Sequence, residues 1–189
     1  LAVLLNTGVL NVSLIIPNDE QVSIHNGYDM MLGLVQELFA PYTKDIEAYE
    51  IVGSYCPGDY DLSIDGKKFA GISQRRVRNG VAVQIYLDIE GSSHERASIV
   101  RDFYRLSKKN AETTYTYPEV NPQVMASINE LLGTKFTVQN IMDKIKALFI
   151  NKQINIEPEL LSREEKEVFE KRYAQMRKRN EKIAVFNPN

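Results

Sequence analysis

Thiols and imidazoles are scarce here: 189 residues hold one cysteine, Cys56, and two histidines, His25 and His94. A single cysteine excludes an intrachain disulfide and fits a reducing cytoplasm. The histidines are far apart and neither has metal-ligand spacing, so no metal is expected; His94 reads as part of a helix start. A large excess of one charge is also missing. The net charge of −2 argues against a nucleic-acid protein, whose usual footprint is basic. No apolar run approaches the ~18 residues of a membrane span. The apolar opening from Leu1 to Ile16 is broken by Asn6, Asn11 and Ser13, and it lacks the basic leader and cleavage site of a signal peptide. A cytoplasmic protein with no membrane or nucleic-acid partner is expected. The chain begins at Leu1 in mid-pattern, which leads us to expect an upstream segment.

What is present is patterned. Val9 to Ile16 alternates, with Leu10, Val12, Leu14 and Ile16 on one face, the period of a strand. Tyr28 to Phe39 has helical spacing, with Met31, Leu34, Val35 and Leu38 on one stripe and Pro41 closing it. A short strand is expected over Ile46 to Val52, followed by the Gly/Pro-punctuated loop Gly53-Ser-Tyr-Cys-Pro-Gly-Asp59. Asp65-Gly66 and Asn79-Gly80 then separate three strand-like runs. Such dipeptides supply the positive φ angles of a type I′ turn, so residues 60–89 are predicted to form a three-stranded antiparallel meander. Beyond it the period becomes helical. Ser92-Ser-His-Glu95 has the form of a capping box, and Ile99, Val100, Phe103 and Leu106 form the expected buried stripe. A helix is predicted from Asn121-Pro122 to Gly133, with Met125, Ile128 and Leu132 inward. Another is predicted over Thr137 to Phe149, and a mostly charged one from Ser162. The layout is that of an α/β chain: a sheet-based part over residues 1–110 and an α-helical region over 111–189.

Cys56 lies in the loop before the meander, where a thiol can meet a substrate. A free thiol of pKa near ~8.5 is only about 3% ionised at pH 7. An ammonium about 4 Å away is worth roughly 4 kcal/mol at an effective dielectric near ~20, less once solvent screens it. The candidate ammonium groups are Lys67 and Lys68, just after the Asp65-Gly66 turn. Regular alternation puts Lys67 with Phe69 on one face and Lys68 with Ala70 on the other. Periodicity leaves open which lysine points at Cys56, and whether either does more than flank a solvated turn. The cluster Gln74-Arg75-Arg76-Val-Arg78 is a solvated hairpin, a docking patch for an acidic carrier domain or a nucleic-acid contact, and the lack of interleaved exposed aromatics argues against the last. The basic excess beyond Ser162 reads as a solvated helix face.

The stretch from Gly53 to Arg76, and within it Asp61-Leu-x-Ile-x-Gly66-x-Lys68-x-x-Gly71-x-x-Gln74, resembles the central motif of the biotin/lipoate protein ligase superfamily. That superfamily contains lipoate–protein ligases and octanoyltransferases. Leu1-Ala-Val-Leu-Leu-Asn-Thr-Gly8 resembles the end of its acyl-site motif, whose Arg/Gly-rich portion would lie upstream. On this alignment Lys68 falls on the family's active-site lysine. A cysteine in the preceding loop, within Tyr-Cys-Pro-Gly-Asp59, resembles the cysteine-dependent lipoyl amidotransferase branch. The resemblance implies a catalytic domain with a largely antiparallel sheet and C-terminal helices, and an acyltransferase of protein lipoylation.

The same resemblance implies the chemistry. Cys56 would take an octanoyl group from the glycine cleavage H protein as a thioester. It would pass that group to a lysine of the lipoyl domains of 2-oxoacid dehydrogenases. Lys68 would favour the thiolate and stabilise the charge developing on the carbonyl oxygen. No cofactor is implied beyond the covalent octanoyl or lipoyl group itself. Gly71, Ile72 and Ser73 of one strand and Val81, Ala82 and Val83 of the next are the candidates to wall the acyl chain. The rival readings are transfer from an octanoyl carrier protein, an ATP-dependent lipoate–protein ligase, and a non-catalytic carrier-binding protein.

Overall fold

The computed structural model describes residues 2–17, 22–77, 80–108 and 117–181. Five strands, β1 (Val9–Pro17), β2 (Glu47–Ala48), β3 (Asp61–Ile64), β4 (Lys67–Val77) and β5 (Gly80–Asp88), form one antiparallel sheet in the order β1-β5-β4-β3-β2. The meander is there. Asp65 and Gly66 both have positive φ, 50° and 69°, as the tight β3–β4 turn requires. Asn79 of the second turn and Arg78 of the basic cluster lie outside the described residues. The strand expected over Ile46 to Val52 shrinks to Glu47–Ala48, because the chain then turns to present backbone groups to the buried carboxylate of Asp61.

One face of the sheet is covered by α1 (Ile24–Phe39), capped by Ser23 and so one turn longer than the apolar stripe indicates. Met31, Val35, Leu38 and Phe39 pack there against Leu10, Leu62, Phe69, Val83, Ile85 and Leu87. Burying a side chain of this size stabilises by roughly 1.5–3 kcal/mol, which makes this face the main source of stability. The chain past residue 117 returns to the same core. Ile128 of α3 (Ile128–Leu132) and Ile141 of α4 (Val138–Asn151) are fully buried in it. Gln74 and Arg76 donate to the carbonyls of Ile24 and Val22, so part of the basic cluster anchors the start of α1. The last helix, α5 (Arg163–Asn180), carries the Ser162–Glu165 capping box and is exposed along its whole length. No helix of the described residues is long and apolar enough to cross a membrane.

Two predicted helices differ in the structure, each for a polar reason. The helix expected from Asn121 to Gly133 is interrupted. A single 3-10 turn, Pro122–Val124, is followed by extended backbone, where Met125 bridges Lys68 and the Ala126 amide donates to the Lys68 carbonyl at 3.0 Å. Only after Ser127 caps it does α3 begin. In α2 (Ser93–Lys108), Val100 is buried, but Ile99, Phe103 and Leu106 are exposed. The inward edge is Ser93, Arg96, Ala97 and Val100, because Asp88 at the end of β5 draws a cation inward.

The Arg96 guanidinium meets Asp88 at 2.7 Å and donates also to Asn6, the Thr7 carbonyl and the Glu90 carbonyl, while Ser93 donates to Asp88. Burial nonetheless pushes the Asp88 carboxyl up to about 6, against the pull of Ser93 and Arg96. Arg96→Ala is therefore expected to cost about 3–5 kcal/mol, the usual penalty for stranding a buried charge. Without the guanidinium, the folded-state pKa of Asp88 rises further above its unfolded value. Folded protein then holds a proton that the unfolded chain has released, so stability falls as pH rises through that window. Urea denaturation at pH 5 and pH 8 should show the larger deficit at pH 8.

Candidate active site

The face of the sheet opposite α1 carries the polar cluster. Asp61 and Ser63 on β3 point to it, as do Gly71 on β4 and Tyr86 and Asp88 on β5, all consistent with the β-pairing of Asp61 to Gly71 and Gly71 to Tyr86. Lys68 reaches the same face through an irregularity. Ser63 pairs with Lys68 and Leu62 with Ala70, which leaves Phe69 as an extra residue. Such a bulge re-aims side chains. Phe69 and Ala70 both join the α1-side core, with Phe69 edge-on to Phe39 at 6.4 Å. The expected grouping of Lys68 with Ala70 is thereby overturned, and Lys68 shares a face with Gly71 instead.

Lys68 is fully buried, whereas Lys67 is exposed. Its ammonium lies 2.7 Å from Asp61 Oδ1, 3.2 Å from Ser54 Oγ and 3.1 Å from each of the carbonyl oxygens of Tyr55 and Cys56. Burial lowers the Lys68 pKa and Asp61 opposes that shift. Burial raises that of Asp61 and Lys68 opposes it. With three N–H donors and four oxygens within reach, Lys68 has no proton free for a further acceptor in this arrangement. Asp61 Oδ2 in turn accepts from the Ile51 amide and Ser54 Oγ, so the ion pair organises both ends of the loop that holds Cys56.

Cys56 is half-buried and has φ +47°. A non-glycine residue in the left-handed region is held there at a cost of roughly 1–2 kcal/mol. The two carbonyls that Lys68 grips flank this residue. Cys56 also packs against a second apolar cluster containing Tyr55, Ala97, Val100 and Met125, together with Tyr86. Sequence reasoning missed Asp61, Ser54 and Tyr86 as members of this site. The available signal was that a lysine turned inward needs an acid, and Asp61 lies on the neighbouring strand.

The six residues considered for an acyl wall do not line one surface. Val81 and Val83 are buried in the α1-side core and Ile72 packs against it. Ala82 and Ser73 alternate to the other face, along which Gly71 adjoins Lys68. The period of two divides each trio between faces. A Cβ on Gly71 would stand 3.0 Å from Tyr86 Cε1, 3.5 Å from Lys68 Cε and 3.7 Å from Asp61 Oδ1. Gly71→Ala is expected to overpack this spot and lose about 1–3 kcal/mol, measured by chemical denaturation.

Known proteins resemble this chain in sequence and in fold. The chain is 54% identical over 181 residues, covering 96% of it, to an octanoyl-[GcvH]:protein N-octanoyltransferase of Oceanobacillus iheyensis, of which 65% is covered. It is 43% identical, over 97% of its length, to a lipoyl-[GcvH]:protein N-lipoyltransferase of Listeria monocytogenes, of which 66% is covered. The chain thus spans about two thirds of the length of these curated relatives. The fold matches that of lipoate-protein ligase A bound with ATP, at a TM-score of 0.59 and 12% identity, over 85% of this chain and 58% of that one. The model of the lipoyl protein ligase A/B catalytic domain matches residues 1–150. Extensive identity to curated acyltransferases and the family model matched over residues 1–150 lead to one conclusion: this chain belongs to the lipoyl protein ligase A/B catalytic domain family.

Proposed function

We propose that the protein transfers an octanoyl group, or its lipoyl equivalent, from a lysine of the glycine cleavage H protein to a lysine of the lipoyl domains of 2-oxoacid dehydrogenases, with Cys56 as the intermediate carrier. The observation that carries this reading is Cys56 at positive φ on a loop whose flanking carbonyls are both gripped by a buried ammonium. A nucleophile presented on a strained, braced turn is an arrangement found at functional sites. The names of the relatives supply the donor and the acyl group.

In the first half-reaction the Cys56 thiolate adds to the amide carbonyl carbon and the carbonyl π pair moves to oxygen. Collapse breaks the C–N bond, and the proton that left the thiol ends on the departing lysine amine. In the second half, a lipoyl-domain amine attacks the thioester, and its proton returns to sulfur. Atoms and charge balance without a nucleotide or an oxidant. Lys68 contributes a fixed positive charge near the developing anions and holds the loop. Ser73 and Ala82 place small side chains on the same face as Gly71, over which the Tyr86 ring packs. We place the reaction in the cytoplasm, where a lone thiol stays reduced.

Intact mass spectrometry of the full-length protein tests this reading. Octanoylated H protein, octanoyl carrier protein, and octanoate with ATP are offered separately. Octanoylated H protein alone should add one octanoyl mass, removable by neutral hydroxylamine. An adduct from the carrier-protein thioester only, or acceptor modification that requires ATP, would overturn the amide donor.

A further inference from the structure

Lys68 cannot be the hydrogen-bond donor to the acyl carbonyl oxygen while its three N–H groups face Asp61, Ser54 and two loop carbonyls. The oxyanion formed on Cys56 attack still needs a donor. Tyr86 sits beside this site. It pairs across the sheet with Gly71 on one side and Asn11 on the other. Its ring lies over Gly71 and 5.9 Å from the Lys68 ammonium, and it stacks on Tyr55 with ring centroids 6.1 Å apart. Although the residue as a whole is half-buried, its hydroxyl oxygen is buried and has no hydrogen-bond partner of good geometry among the described residues. Burial pushes the Tyr55 pKa up and the Tyr86 hydroxyl is near enough to pull it partly back down, yet the two hydroxyls make no bond of good geometry with each other. A buried hydroxyl left unpaired is destabilising by roughly 1–3 kcal/mol, and such groups call for an explanation. Gly71 is what admits the ring, since any side chain there would displace it.

We propose that the Tyr86 hydroxyl is the donor that meets the acyl carbonyl oxygen when an octanoyl group enters beside Cys56. This rests on the acyl-thioester reading above and adds a catalytic residue to it. The missing partner of the hydroxyl is then the substrate's oxygen. The donation is a hydrogen bond without proton transfer: the oxyanion returns its electron pair to the carbonyl as the C–N bond breaks, and the phenol keeps its proton. Burial raises the Tyr86 pKa well above the usual tyrosine value, so the hydroxyl is a donor throughout neutral pH.

Tyr86→Phe in the full-length protein keeps the ring and removes only the donor. Octanoylation of Cys56 from octanoylated H protein should slow by about 100-fold or more, the scale of losing one oxyanion donor, with KM little changed. Two readouts separate this from a structural role. Alkylation of Cys56 by iodoacetamide should keep its wild-type rate, and the thermal midpoint should stay or rise because an unpaired buried hydroxyl is gone. The infrared carbonyl band of the isotopically labelled Cys56 thioester should move to higher wavenumber in the variant. Wild-type acylation by Tyr86→Phe overturns the proposal, as does a loss of activity matched by slower alkylation and a lower midpoint. If the wild-type protein itself forms no Cys56 adduct, the acyl-thioester reading falls and the proposal with it.

Discussion

Lys68→Ala should reduce acyl transfer by at least ~100-fold, comparable to losing an electrostatic anchor in an active site, and should also destabilise the fold. The two effects share one cause. Removing the ammonium strands the Asp61 carboxylate, whose side chain is 3% exposed, and leaves the carbonyls of Tyr55 and Cys56 without their donor. Breaking a buried pair on one side costs about 3–5 kcal/mol, measurable by urea denaturation. Relaxation of the loop should let Cys56 leave its left-handed conformation, so activity falls even where the protein remains folded. Lys68→Met combined with Asp61→Asn removes the stranded charge. It should recover much of the stability while transfer stays lost, which separates the site's chemistry from its architecture. Lys67→Ala, on the exposed neighbour, should leave both quantities near wild type. Equal losses at both lysines would contradict the assignment of the buried position.

Cys56→Ser should abolish both the acyl adduct and transfer, with the thermal midpoint close to wild type. Serine carries the same left-handed strain and nearly the same shape, so stability changes little. Its hydroxyl is scarcely ionised at neutral pH, and no histidine lies near the motif to serve as base: His25 is on α1, and His94 meets Gln123 rather than the loop. Mass spectrometry after mixing with octanoylated H protein reads the adduct directly. Full transfer by the serine variant would rule out the thioester route.

The meander was readable because Asp65-Gly66 is local chemistry, and its positive φ pair is a property of two adjacent residues. The α1 stripe was equally readable, since an apolar period of 3.6 encodes its own buried face. The α2 stripe was not. Apolar periodicity picked Ile99, Phe103 and Leu106, but one ion pair, Arg96 to Asp88, determines which side turns inward. The helix from Asn121 failed for a similar reason, because its middle pairs with the β4 backbone at Lys68.

The stretch from Gly53 to Arg76 carried the resemblance to the superfamily, apolar periodicity and turn dipeptides carried the sheet-and-helix architecture, and the position of Cys56 in a loop made it the candidate nucleophile, because each rests on residues close in sequence. The partner network of Lys68 was decided only by tertiary structure. The extra residue at Phe69 breaks the two-residue alternation and turns Lys68 onto the face of Gly71 and Tyr86. Burial there then demands a carboxylate and every nearby carbonyl. Neither the bulge nor that demand is visible in a one-dimensional pattern, since both arise from strands paired across a sheet.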